Sequence, residues 1–210
     1  MKKTETPPEI SPTKIPNLVF VTALNGAGKS ALVHYLKTNL GFEKKSARKF
    51  IDASTKAGEL KNRPMLGNQA DHLRDTFGSD YIIRSLAEAT RFKVDAVIES
   101  VRTMGEVAYI QRLQVETKGI LNVLLVSVEA DIYIRYERIR KRASITDNVS
   151  FAVFQEEEAA ESCGNNPSRM NIPQCCLQAD ITIINNGALD VLNREIKTKL
   201  IPHLSLGSAF

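Results

Sequence analysis

Continuous apolar runs alternate along this chain with apolar residues spaced three and four apart. That pattern predicts parallel strands covered by helices, an α/β class. Leu18–Ala23 (LVFVTA) is apolar almost throughout, as a strand buried on both faces must be. Ser30–Leu40 follows as a helix with Leu32, Leu36 and Leu40 on one stripe and Gly41 as its stop. Asn68–Phe77 predicts a second helix, with Ala70, Leu73 and Phe77 on one face and Gly78 at its end. Ser79 is placed to cap the next helix, which carries Ile82, Leu86 and Ala89. Val94–Glu99 is a further strand ending in a carboxylate. Thr103 and Glu106 then have the spacing of a capping box before Val107, Ile110 and Leu113. Ile120–Val128 is the most apolar strand, and Asp131–Arg142 is helical with Ile132, Tyr136 and Ile139 inward. Ile181–Asn185 is the last strand, followed by Gly187 and a helix bearing Leu189, Leu192, Ile196 and Leu200. From 143 to 179 the periodicity weakens and charge rises, so a mobile lid is expected there. Pro7, Pro8, Pro12 and Pro16 make 1–16 an extended tail, leaving 17–210 as one domain without internal repeats.

Composition narrows the function classes. The 210 residues are 43% hydrophobic and 25% charged, which suits one sizeable globular domain. No run reaches the roughly 18–20 apolar residues of a membrane helix, so no membrane partner is expected. The net charge of +4 suits an anionic substrate. Cys163, Cys175 and Cys176 are an odd number without CxxC spacing, which fits a reducing compartment better than a disulfide or zinc scaffold. The first residues lack the apolar core of a signal peptide, so a cytoplasmic location is expected.

The sharpest motif is Ala23-Leu24-Asn25-Gly26-Ala27-Gly28-Lys29-Ser30. It matches the phosphate-binding pattern G-x-x-x-x-G-K-[ST], with Ala23 in place of the first glycine. Gly26 and Gly28 permit the tight turn that points successive N–H groups at a phosphate, and the helix that follows adds its positive end. Asn25, Gly26, Ala27, Gly28, Lys29, Ser30 and Ala31 are thus the expected nucleotide-binding residues. Lys29 would reach the outer phosphates, and the Ser30 hydroxyl would ligate Mg²⁺. A glycine-bearing strand–helix turn without a ligand is the plain alternative.

Beyond this loop, three more stretches occur in a telling order: LRDTFGSDYIIRSL (73–86), VIESVRTMGEV (97–107) and ADITIINNGAL (179–189). With Phe20–Ser30 they resemble the P-loop nucleoside-monophosphate-kinase-like superfamily. Within it the chain is most similar to dephospho-CoA kinase and the archaeal dephospho-CoA-kinase-like proteins. The resemblance spans about Leu18 to Leu200. It implies a three-layer α/β/α P-loop fold, a five-stranded parallel sheet in order 2-3-1-4-5, a helical acceptor region, a small lid, and ATP with Mg²⁺ as cofactors. The chain departs from the family pattern at three places. Glu99 stands where the family has the aspartate of an Asp-Gly pair, Ser100 replaces that glycine, and Ser46 occupies the place of an acidic residue after the second strand.

On this reading Glu99 lies at a strand's C-terminal end beside the loop, where parallel sheets bind ligands, and would hold Mg²⁺ through water. Its alternative is a capping or solvated carboxylate. Arg102 would meet an acceptor phosphate. Arg48, Arg74 and Arg84 are further candidates there, against the ordinary case of exposed helical arginines. The dense set Arg135, Arg138, Arg140, Lys141 and Arg142 reads as a solvated face or as a lid hinge delivering guanidinium groups. Arg138 and Arg142 share a face and are chosen for that role, with Arg169 as a further lid candidate. A nucleic-acid partner is not expected, because the set lacks aromatics at stacking spacing. The run Glu156–Glu158 reads as a solvated helix start. Asn185 is expected against the adenine, since in relatives this segment packs there; an Asn-Gly turn is the alternative. Together these residues predict a Mg-ATP-dependent kinase acting on a nucleotide-like small-molecule acceptor. Dephospho-CoA kinase is the second choice, a nucleotide-binding switch or ATPase the third, and the oligomeric state is left open.

Overall fold

The computed structural model describes residues 14–54, 63–142, 150–162 and 164–206. Five strands form one all-parallel sheet: β1 (Asn17–Thr22), β2 (Glu43–Ser46), β3 (Ala96–Glu99), β4 (Asn122–Glu129) and β5 (Ile181–Ile184). Their spatial order is β2-β3-β1-β4-β5, as expected. Every residue of β1 is buried, because helices cover both faces of the central strands.

Side-chain alternation along the strands sorts the core into two halves. Leu18 and Phe20, with Ile98, Val123 and Leu125, face one side. There they pack on α3 (Arg63–Phe77), α4 (Tyr81–Glu88) and α5 (Met104–Glu116). Val19 and Val21, with Val97, Val126, Val128 and Ile183, face the other side. There they meet α1 (Lys29–Leu40) and α9 (Leu189–Glu195), the latter running on as a π turn over Ile196–Leu200. The Thr103–Glu106 capping box forms as read, with both reciprocal bonds present. Glu106 is fully buried and also receives Arg74, whose Nη2 lies 2.9 Å from Oε1.

Some expectations need correction. Ser79 does not cap α4; Asp80 flanks that helix without a side-chain capping bond, and Ser79 instead packs against Gly105. The second helix begins at Arg63, five residues earlier than read. Phe77 is not core: it is 53% exposed and leans on the Tyr81 ring. Two helices carry no readable signal, α2 (Ala47–Ala53) and α8 (Ile172–Leu177), and of α7 (Phe151–Ala160) only the Glu156–Glu158 run reads as helical. The expected lid therefore contains two formed helices, while 143–149 and Cys163 lie outside the described residues. Helix α7 is held to α6 (Ile132–Arg142) by aromatic contacts, with Tyr133 stacked on Phe151 and Tyr136 against Phe151 and Phe154. Glu156–Glu158 is not a helix start but lies in the second half of α7. No described helix is long and apolar enough to cross a membrane.

Candidate functional site

The turn between β1 and α1 is built by two left-handed glycines. Gly26 has φ +78° and Gly28 φ +108°, a region favoured by glycine. Space is as restrictive as torsion. A Cβ on Gly26 would press into the Arg135 carbonyl, and one on Gly28 would overlap Asn185 Nδ2. Ala23, at the place of the absent first glycine, is buried and outside the left-handed region, so its methyl group costs nothing there. The N–H groups of Ala31 and Leu32 both return to the Gly28 carbonyl, so α1 starts at the end of the loop. Ala31 packs against the core below, and Ser30 is exposed at the helix start.

Lys29 is the centre of the charge arrangement. Its Nζ donates to Ser100 Oγ at 2.7 Å. Burial, and then the nearby Arg102, lower its pKa to about 8, while Glu99 and Glu161 work in the opposite direction. Ser100 is left-handed at φ +76°, a conformation costing a side-chain-bearing residue about 1–2 kcal/mol. Its N–H and that of Val101 both donate to the Val21 carbonyl, at 3.0 and 3.1 Å, which fixes this turn to β1.

Glu99 is 8% exposed at the end of β3 and pairs with Lys44 of β2, whose Nζ lies 3.1 Å from Oε1. Arg102 faces the same space; its Nη1 lies 3.6 Å from Glu161 Oε1 and 3.4 Å from Met170 Sδ. Asn25 Nδ2 also donates to Glu161 at 3.3 Å. Lys44 and Glu161 escaped sequence reasoning. Lys44 had a weak signal as a cation two residues before the end of a strand, while Glu161 had none.

The arginines of α6 divide differently from the sequence reading. Arg138 donates through Nη1 to the Asn185 carbonyl and through Nη2 to the Gly187 carbonyl, both at 2.9 Å. It clamps the turn after β5 and does not point into the phosphate cradle. Arg142 is exposed in the last turn of α6. Arg135 is the α6 cation brought to the loop: it is 6% exposed, reaches the Asn25 carbonyl, and is paired with Glu158. Asn185 is 4% exposed and donates from Nδ2 to the Ala27 carbonyl at 2.7 Å. Its amide braces the cradle.

On the acceptor side the candidate arginines are matched by carboxylates. Arg74 is buried on Glu106, Arg84 lies 3.4 Å from Asp80, and Arg169 meets both Asp75 oxygens at 2.8 Å. Arg169 thus ties its segment to α3. Arg48 is exposed, and the Ser46 hydroxyl is spent capping α2 by accepting from Lys49 N–H.

The donors present fit a magnesium–triphosphate group. Ser30 and Glu99 offer the hard oxygen ligands Mg²⁺ takes, and the left-handed Gly26 and Gly28 suit a turn whose N–H groups converge on a phosphate. A cleft of about 280 Å³ adjoins the back of the loop, lined by Leu24, Ala27, Glu129, Arg135, Cys176 and Leu177 among others.

No family model matches the chain. A UPF0200 protein of Methanocaldococcus jannaschii is 26% identical over 184 residues, covering 84% of this chain and 86% of that protein. Among solved structures, TT1252 from Thermus thermophilus has a TM-score of 0.55 at 18% identity, covering 88% of this chain and 96% of its own. Dephospho-CoA kinase from Campylobacter jejuni has a TM-score of 0.51 at 17% identity, with 91% and 98% covered. Shikimate kinase from Bacteroides thetaiotaomicron has a TM-score of 0.51 at 12% identity, with 86% and 97% covered. The fold is that of the P-loop kinases.

Proposed function

We propose that this chain is a Mg-ATP-dependent small-molecule kinase of the nucleotide-kinase type. The observation that carries the reading is the left-handed Gly26–Gly28 cradle, which aims Lys29 at the C-terminal end of β3, where Glu99 lies. Phosphoryl transfer needs mainly positioning and charge neutralisation, and these residues supply both. The cradle and the first turn of α1 bind the phosphates through N–H groups. Lys29 exchanges Ser100 Oγ for the outer phosphates, and Arg102 neutralises charge on the acceptor side. Ser30 and Glu99 would hold Mg²⁺, which would supply positive charge against the phosphate oxygens. Arg138 and Asn185 position the loop. The solved kinases of this fold act on diverse small molecules, in keeping with a site whose acceptor side varies.

An anionic, nucleotide-like acceptor is favoured by Lys44, a cation at the mouth of the site next to Glu99. A hydroxyl acceptor such as dephospho-CoA would use Glu99 as base, because Ser46 is committed to capping α2. A switch or ATPase without a small acceptor is favoured by the neutralised acceptor-side arginines, Arg74, Arg84 and Arg169. One panel separates the three. ADP release is measured alone and with nucleoside monophosphates, deoxynucleotides and dephospho-CoA, with Lys29→Ala as control. Acceptor-stimulated turnover lost in Lys29→Ala is the expected result. Acceptor-independent turnover identifies an ATPase, and turnover unchanged in Lys29→Ala overturns the kinase reading.

A further inference from the structure

Ser100 carries a conformational cost beyond its one contact with Lys29. Its φ of +76° is where a glycine would sit without strain, yet the position carries a hydroxyl. Backbone strain held at a ligand-binding turn is a sign of function when the surrounding structure over-determines it. Here the over-determination is visible: two adjacent N–H groups, of Ser100 and Val101, converge on the Val21 carbonyl and hold the turn. The outcome is that Ser100 Oγ stands 2.7 Å from Lys29 Nζ, the ammonium that contacts the outer phosphates in a site of this kind. The Glu99 carboxylate is one residue away and buried, and it acts electrostatically on the same ammonium. The cations flanking the acceptor region are meanwhile matched by this chain's own carboxylates, and the hydroxyl bonded to the Lys29 ammonium is an internal one.

We propose that Ser100 is an internal phosphoryl acceptor, a self-modification site that takes the γ-phosphoryl group of bound ATP. This inference rests on the nucleotide-binding reading of the loop. In the step, Ser100 Oγ forms a bond to the γ-phosphorus. The bond from that phosphorus to the oxygen bridging it to the β-phosphate breaks, and ADP leaves with the electron pair. The hydroxyl proton is released to water. The product is a phosphoserine carrying about −1.5 to −2 charges beside Lys29 and Arg102, which supply the pairing such a group requires. It occupies the space of a γ-phosphate. The modification is therefore confined to one group per chain, and the modified protein favours ADP over ATP.

The full chain is incubated with Mg-ATP labelled in the γ-phosphate and followed by intact mass and peptide mass spectrometry, with binding of an ATP analogue measured in parallel. The expected result is one phosphoryl group per chain, located on Ser100, appearing at a rate independent of protein concentration. Ser100→Gly relieves the left-handed residue and is expected to fold and to bind the analogue, but to lose the label. Analogue binding without label in the native chain overturns the Ser100 assignment alone, as does label that persists in Ser100→Gly or a rate that rises with protein concentration. Failure of the native chain to bind the analogue overturns both this assignment and the nucleotide reading beneath it.

Discussion

Raising the pH from about 7 to about 9.5 should weaken ATP binding roughly thirtyfold, because Lys29 loses its proton within that interval. Burial and the facing Arg102 and Lys44 depress its pKa, Glu99 and Glu161 partly restore it, and the result is about 8. With that value the ammonium fraction falls from about 0.9 at pH 7 to about 0.03 at pH 9.5. A bound triphosphate re-protonates Lys29, so affinity follows the fraction already charged. The loss is about 2 kcal/mol at the alkaline limit. Isothermal titration with a non-hydrolysable ATP analogue, repeated across the interval, measures it. Lys29→Arg keeps its charge throughout and should give a flat profile. Glu161→Gln removes a carboxylate that supports the ammonium and should move the fall to lower pH. A flat profile in the native chain, or the same fall in Lys29→Arg, refutes the reasoning. The same shift acts on folding with a definite sign. Between pH 8 and 10.5 the unfolded chain binds more protons at this lysine than the folded one, so its contribution to stability rises with pH there.

Two further outcomes follow from particular contacts. Asn185→Ala leaves the Ala27 carbonyl without its partner, which should cost about 1–3 kcal/mol and lower the unfolding temperature by several degrees. Analogue affinity should fall with it, and unchanged melting and binding would show that the amide does not brace the cradle. Arg74→Ala strands Glu106 in the core and should destabilise by about 3–5 kcal/mol, read by denaturant unfolding. A loss below about 1 kcal/mol would mean that the capping box alone satisfies that carboxylate.

The parts of the fold that were legible in the sequence are those whose hydrophobic pattern answers to the main core. Strands β1, β3 and β4 are near-continuous apolar runs because helices cover both faces, β5 is an apolar run at the sheet edge with Ile184 partly exposed, and the loop after β1 is announced by its two glycines. Strand β2, reading EKKS, has no apolar alternation at all and is placed only by pairing with β3. Helix α7 stayed hidden because its apolar residues Phe151 and Phe154 serve a satellite cluster with Tyr133 and Tyr136 rather than the sheet. Within the site, helical spacing correctly says that Arg138 and Arg142 share a face, but spacing cannot say which face meets the loop. That is decided by the close approach of Gly26 to the Arg135 backbone, which puts Arg135 inward and turns Arg138 toward Asn185. Glu161 and Lys44 reach the site from α7's end and from β2, separated from the loop by long stretches of chain, and only the assembled fold brings them there.

The pairing of carboxylates with cations around the loop bears on electroneutrality. Four cations, Lys29, Lys44, Arg102 and Arg135, face three carboxylates, Glu99, Glu158 and Glu161. A nucleoside triphosphate with about four negative charges therefore enters a site with little spare positive potential. It must arrive with its own divalent counter-charge, or displace Glu158 and Glu161 from the two arginines. Those same two carboxylates help anchor α7. In the second case, occupancy of the site and docking of α7 compete for one set of guanidinium groups. By linkage, whatever factor the docked helix takes from ligand affinity, the ligand takes equally from docking of the helix.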